Sequence, residues 1–314
     1  MDPRFLSDRK HKDLVNFTNS FSNGNFIACF QFGKIYHGII DHDFGILQPV
    51  TVKIWDTSSS VIRDNELRLM REVILLRNQK VECQPGAPKL LGYLCDGKHL
   101  GVIYDLKALN TVSSQLCQGD FSWLQRIKVA FWFARIVKFF HTQNPPFEPF
   151  VIHNIDATNI LLDEDYIPKL FDYSLMTGGG IFPEESQDKT KRQKTGIQDD
   201  VFGFGVLLLS LITKQRVTKE DALESIIAQG CNLKSVSSLI GNKRVSLSPI
   251  HGSFEVDPYF YACDGPQTLE LVMECLQSRP SMKEVVRRLQ KLQVVRKHYD
   301  LVMFKPKPPN KHWG

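Results

Sequence analysis

Hydrophobic and polar residues alternate from Phe26 to Trp55, with β-branched and aromatic side chains at the apolar positions. Alternation of this kind predicts strands, and turns are expected at Gly38 and at Asp43–Gly45. Residues 1–20 are polar and charged, with one short helical stretch at Lys12–Phe17. In Glu66–Arg77 (ELRLMREVILLR) the apolar residues return at helical spacing, with mixed charge on the other face, and Pro85–Pro88 breaks the helix. Leu90–Leu94 and Leu100–Leu106 predict two further short strands.

The pattern changes after about residue 110. Trp123–Thr142 predicts a long, largely apolar helix, ended by Asn144-Pro145-Pro146. Asn159–Leu162 and Pro168–Phe171 read as strands around the acidic turn Asp163-Glu164-Asp165. Residues 177–199, rich in Gly, Lys, Thr and Gln, read as a loop, and helices follow at Val201–Leu211 and Met282–Leu292. A small strand-rich half thus precedes a larger helical half, without an internal repeat.

Composition narrows the function classes. With 39 basic and 34 acidic residues the net charge is +5, too small an excess to argue for nucleic acid. The excess gathers in Lys189–Lys194 and in Lys291–Lys311, so a basic tail that touches acidic surfaces is expected. Seven scattered cysteines without a Cys-x-x-Cys pair suit reduced thiols. Signal-peptide and myristoylation patterns are missing from the start, and the apolar run Val201–Thr213 reads as too short to span a bilayer. A soluble, cytoplasmic protein is expected, peripheral to a membrane only through partners.

Candidate chemistry lies in three places. Ala28-Cys29-Phe30-Gln31-Phe32-Gly33-Lys34-Ile35 would pass alone as an ordinary β-hairpin. Val50-Thr51-Val52-Lys53 ends in a lysine, with Glu72 on the following helix as its best partner and Glu66 as the reserve; either is also readable as a solvent-facing glutamate. Val151-Ile152-His153-Asn154-Ile155-Asp156-Ala157-Thr158-Asn159-Ile160-Leu161-Leu162-Asp163 follows, and thirteen residues beyond Asn159 stands Asp172 in Lys169-Leu170-Phe171-Asp172-Tyr173-Ser174.

Taken in order, these segments resemble the protein-kinase signature set of glycine-rich loop, V-A-I-K lysine, H-R-D-x-x-x-x-N loop and D-F-G. Asp199–Val206 and Arg279–Val285 resemble the D-V-Y-S-F-G-V and R-P-S-M-x-E-V elements of receptor-like kinases. The chain, from about Phe17 to Leu292, is similar to the plant receptor-like cytoplasmic kinase (Pelle/IRAK-related) group, and within it to pseudokinase adaptors of NLR immune receptors. That resemblance implies a bilobal α+β fold: an extension at 1–20, a small lobe at 21–106, a large helical lobe at 107–292, and a tail at 293–314. It implies a nucleotide site of Lys53, Glu72, Asp105, Asn159 and Asp172, with Asn159 and Asp172 as magnesium ligands. Only Lys53, Asn159 and Asp172 match residue by residue.

The departures set the functional expectation. The glycine-rich loop has Ala28 and Phe30 at its first two glycine places and keeps Gly33 at the third. The base position holds Asn154, and an amide accepts no proton near neutral pH. Loss of a positioned base forfeits ~10²–10⁴-fold in rate, or roughly 3–5 kcal/mol of barrier. Asp156 stands where many kinases carry a lysine, and as a substitute base it lies too close to Asn159. His153 to Asn159 reads one residue short of the pattern. No A-P-E motif is evident; Phe182-Pro183-Glu184 is the nearest remnant. Thr190 and Thr195 are candidate phosphoacceptors or plain loop residues. The expectation is a pseudokinase that needs no cofactor and binds an active kinase, an NLR-type receptor, or both. A weakly active ATP-dependent serine/threonine kinase is the alternative, and a nucleotide-sensing switch a third.

Overall fold

The computed structural model describes residues 10–42, 45–82, 84, 86–142, 148–181, 189–223 and 250–303. The small lobe is a five-stranded antiparallel sheet in the order β1-β2-β3-β5-β4, made of β1 Phe26–Phe30, β2 Gly33–His42, β3 Ile46–Trp55, β4 Lys89–Cys95 and β5 Leu100–Asp105. Between β3 and β4 come α2 Ile62–Leu76 and the short α3 Gln79–Glu82. Alternation places Ile35, Trp55, Val102 and Tyr104 on the face toward α2 and the large lobe. Val50, Val52, Leu91 and Ile103 lie on the opposite face, covered by Leu14 of α1 His11–Phe17. Residues 11–17, assigned from sequence to an extension, therefore close one face of the sheet.

Gly38 makes no turn. It sits within β2 opposite Val50, where an added Cβ would come within 3.0 Å of the Val50 methyl and 3.2 Å of Val52. Crowding from β3, rather than a chain reversal, accounts for this glycine. The hairpin reverses at Gln31-Phe32 instead.

Strands β6 Ala108–Thr111, β8 Ile160–Asp163 and β9 Pro168–Leu170 form a small sheet in the large lobe, and β7 Phe150–Val151 pairs with β10 Thr177–Gly178. The short α4 Val112–Gln115 follows β6. The central pillar is α5 Trp123–His141. Ser122 caps it, its hydroxyl accepting from the Gln125 amide while the Gln125 side chain accepts from the Ser122 amide. Apolar residues surround α5, and a helix of that kind must be enclosed. Accordingly Phe131, Phe133, Val137 and Phe140 are fully buried.

The loop expected over 177–199 gives way at Lys189 to α6 Lys189–Thr213. Lys, Arg and Gln are good helix formers, so a polar run does not by itself mark a loop. By length and composition α6 could cross a membrane, contrary to the sequence reading, yet 78% of its apolar window is buried inside the fold, as in a core helix. Asp199-Asp200 stands within α6 rather than capping its start.

α7 Asp264–Gln277 and α8 Met282–Leu289 complete the lobe together with two helices in the expected tail, α9 Gln293–Lys297 and α10 Tyr299–Val302. Asp264 accepts from the Gln293 and Val294 amides at 2.6 and 2.8 Å, and Trp132 Nε1 donates to the Val302 carbonyl at 2.7 Å. Val294, Val295 and Val302 are buried while Arg296 and Lys297 stay exposed, so the basic character of this segment hides an apolar inner face. The whole is the two-lobed α+β protein-kinase architecture.

Candidate active site

Lys53 ends up fully buried between the lobes, brought there by the alternation of β3. Its Nζ donates to Glu72 Oε2 at 2.6 Å and to the Phe171 carbonyl at 3.0 Å. Asp172 Oδ1 lies 3.6 Å away. Glu72 comes from the buried face of α2, and the reserve Glu66 does not enter the cluster. Three aromatic rings enclose the ammonium, with centroids at 4.3 Å (Trp55), 4.5 Å (Phe30) and 5.6 Å (Phe171). Phe30 meets Trp55 and Phe171 edge-on. Thus the second glycine place of the loop carries a ring that occupies the space over the lysine.

Gly33 survives for a local reason. A Cβ there would lie 2.0 Å from the Ile54 carbonyl oxygen, so the β2–β3 pairing itself excludes a side chain. Ala28 sits in β1, paired with Ile35.

Asn154 and Asp172 meet. The Asn154 Nδ2 donates to Asp172 Oδ2 at 2.9 Å, and the Ser174 hydroxyl donates to Oδ1 at 2.7 Å. With Lys53 beside Oδ1, both oxygens of this fully buried carboxylate are engaged by the protein. Asn154 therefore serves as a donor to the would-be metal ligand. Asn159 is buried at the end of the 3-10 turn Ala157–Asn159 and makes no side-chain hydrogen bond to Lys53, Glu72 or Asp172. Asp105 is exposed at the end of β5 and accepts from Gln48 at 2.7 Å, outside the cluster.

Asp156 faces elsewhere. Its carboxylate accepts from the Thr158 amide and hydroxyl at 2.8 and 2.6 Å, and Arg216 lies 3.4 Å off. The loop keeps the five-residue step from Asn154 to Asn159, so its length is unchanged; the histidine has moved one place, leaving Ile152 before His153. Buried Asp200 of α6 holds this loop, accepting from the Ile152 and His153 amides at 2.7 and 2.8 Å, with His141 Nε2 at 2.9 Å. His153 has φ +67° and its Nε2 lies 2.8 Å from the Thr177 hydroxyl. Thr190 and Thr195 lie near the start of α6, Thr195 exposed. Phe182-Pro183-Glu184 lies outside the described residues.

Burial lifts the Glu72 carboxyl from an ordinary 4.5 to about 7, Lys53 opposing the shift and Asp172 adding to it. Tyr104 donates its hydroxyl to Glu72 Oε1 and is itself pushed up, by burial first and by Glu72 second. With every group ionised the cluster would hold one cation and two carboxylates. Proton uptake at Glu72 relieves that imbalance. Sequence reasoning missed Trp55, Tyr104, Phe171 and Ser174; only Ser174, at the D-F-G glycine place, left a readable signal.

No protein-family model matches the chain. It is 30% identical to the serine/threonine-protein kinase PBL13 of Arabidopsis thaliana, over 65% of this chain and 43% of that protein. It is 28% identical to the probable serine/threonine-protein kinase PBL16 of the same plant, over 93% of this chain and 74% of that one. An EPD1-interacting receptor-like cytoplasmic serine/threonine-protein kinase 5A of Gossypium barbadense is 28% identical over 65% of this chain and 46% of its own. The chain thus spans less than half the length of PBL13 and of the Gossypium protein. Similarity along the sequence and the two-lobed fold agree: this is a protein-kinase-like chain whose homologues are the plant receptor-like cytoplasmic serine/threonine kinases.

Proposed function

We propose that this chain is a pseudokinase, acting in the cytoplasm as a binding protein rather than a phosphotransferase. The observation that carries the reading is the 2.9 Å hydrogen bond from the Asn154 amide to Asp172. Phosphoryl transfer wants a carboxylate at 154 to receive the substrate hydroxyl's proton and a free Asp172 for magnesium. Here the first group has no basicity and the second is taken up internally. Phe30, 4.5 Å over Lys53, would crowd a phosphate held by that lysine. On this reading magnesium-nucleotide does not fit the site as folded.

The partners we assign are proteins: an NLR-type immune receptor and an active receptor-like cytoplasmic kinase, with the chain as adaptor between them. What supports a binding role is a well-packed fold kept around a site that has an amide at 154; the NLR-type receptor follows the family resemblance. A thermal-shift titration tests the first step. A nucleotide binder held at about 100 times its Kd gains ~2.7 kcal/mol, a rise of several degrees. No shift is expected at millimolar ATP with magnesium, whereas a saturable rise would overturn the reading. The Lys53–Glu72 contact at 2.6 Å favours a second reading, a weakly active kinase. Radiolabel incorporation by the wild type that disappears in Lys53→Met would establish it.

A further inference from the structure

Helix α2 is apolar on two faces. Leu69, Val73 and Leu76 point into the core with Glu72, as the Lys53 contact requires. At 100° per residue, Leu67, Met70 and Ile74 fall on the opposite side. They are 66%, 36% and 45% exposed. A solvated helix ridge is ordinarily polar, and an apolar ridge with no cover marks a contact surface. Its spacing matters too. Leu67, Met70, Ile74 and Arg77 follow one another by three, four and three residues, the seam spacing of paired helices.

Charge identifies the kind of partner. Exposed arginines Arg63 and Arg77 stand at the two ends of the ridge, Arg77 with its guanidinium 5.5 Å over the Tyr93 ring and its charge still open to solvent. The helix also carries Arg68, which is stacked over Phe32, and Arg71, which donates to the Met176 carbonyl. Four arginines face two acids outside the buried site, Asp64 and Glu66, leaving a net charge of +2. A second copy of this chain is a poor occupant. Antiparallel pairing of two such ridges would set Arg63 against Arg77, and parallel pairing would set each against itself. Like charges meet in both arrangements.

We infer that the outer ridge of α2 docks an amphipathic helix of another protein, its apolar stripe on Leu67, Met70 and Ile74 and acidic side chains beside Arg63 and Arg77. This deepens the adaptor reading and rests on it for its meaning: α2 positions Glu72, so the partner's helix would lie directly behind the closed site.

The test is fluorescence anisotropy of the full chain with a labelled helical peptide of about 20 residues, leucine at the seam positions and glutamate beside them. The comparison peptide carries lysine in place of each glutamate. The acidic peptide is expected to bind at least about tenfold more tightly than the basic one. Leu67→Ser/Ile74→Ser should abolish that binding at unchanged melting temperature, while Ile39→Ser, an exposed residue of β2, leaves it intact. Arg63→Glu/Arg77→Glu should reverse the preference between the peptides, a readout that holds even if the serine variant is destabilised. Equal binding of both peptides, binding of neither, or an unreversed preference would overturn the inference. So would a dimer in solution that Leu67→Ser/Ile74→Ser dissociates, since a second copy would then own the ridge. None of these outcomes bears on the nucleotide titration, so the two readings fail separately.

Discussion

At the scale of single residues, the informative pair is Asn154 and Asp172. An amide opposite a carboxylate supplies a donor, and with one cation already shared between Glu72 and Asp172 the pocket gains nothing from a third negative charge. Asn154→Asp is therefore expected to restore no phosphotransfer. Instead it replaces a hydrogen bond by a repulsive contact and lowers stability by about 2–3 kcal/mol, measurable by urea unfolding beside a radiolabel assay. Glu72 sets a second expectation. Its carboxyl, at about 7 when folded, binds a proton more tightly than in the unfolded chain, at 4.5. The resulting stability is complete below pH 4.5 and is lost as the pH rises through 7. The change is on the order of 3 kcal/mol. Denaturation across pH 4.5 to 7.5 should show that decline, and Glu72→Gln should flatten it.

Secondary elements were legible where their periodicity was strong. α2 and α5 lie within a few residues of their expected bounds because an apolar stripe dictates a helix wherever it is buried. One reading that went astray rested on a single residue. Gly38 resembled a turn because glycine punctuates chains, yet its role depends on Val50 and Val52 across the strand pair. Gly33, assigned by the resemblance to the glycine-rich loop, is in addition held to glycine by a backbone contact. Gly33→Ala forces a Cβ to within 2.0 Å of the Ile54 carbonyl. We expect a loss of more than about 3 kcal/mol, seen as a lowered melting temperature in calorimetry.

For the molecule as a whole, the two-lobed plan followed from strand-rich and helical halves in succession, but its edges did not. Charge density made residues 293–303 read as tail, while Val294, Val295 and Val302 carry them onto α5. A chain truncated after Leu292 would uncover Trp132 and lose three buried valines, each contributing roughly 1.5–3 kcal/mol. Its melting temperature is expected to fall by about 10 °C or more; an unchanged value would show that the two short helices are dispensable. The sequence by itself determined the fold class and the amide at 154, because both depend on residue identity and order along one chain. The tertiary structure alone decided that Asn154 closes Asp172, that Phe30, Trp55 and Phe171 surround Lys53, and that among the described residues Leu67, Met70 and Ile74 of α2 stay exposed. Those facts depend on which side chains meet or stay uncovered after folding, from Lys53 and Phe171 far apart in the chain to Asn154 and Asp172 eighteen residues apart, and only packing sets that.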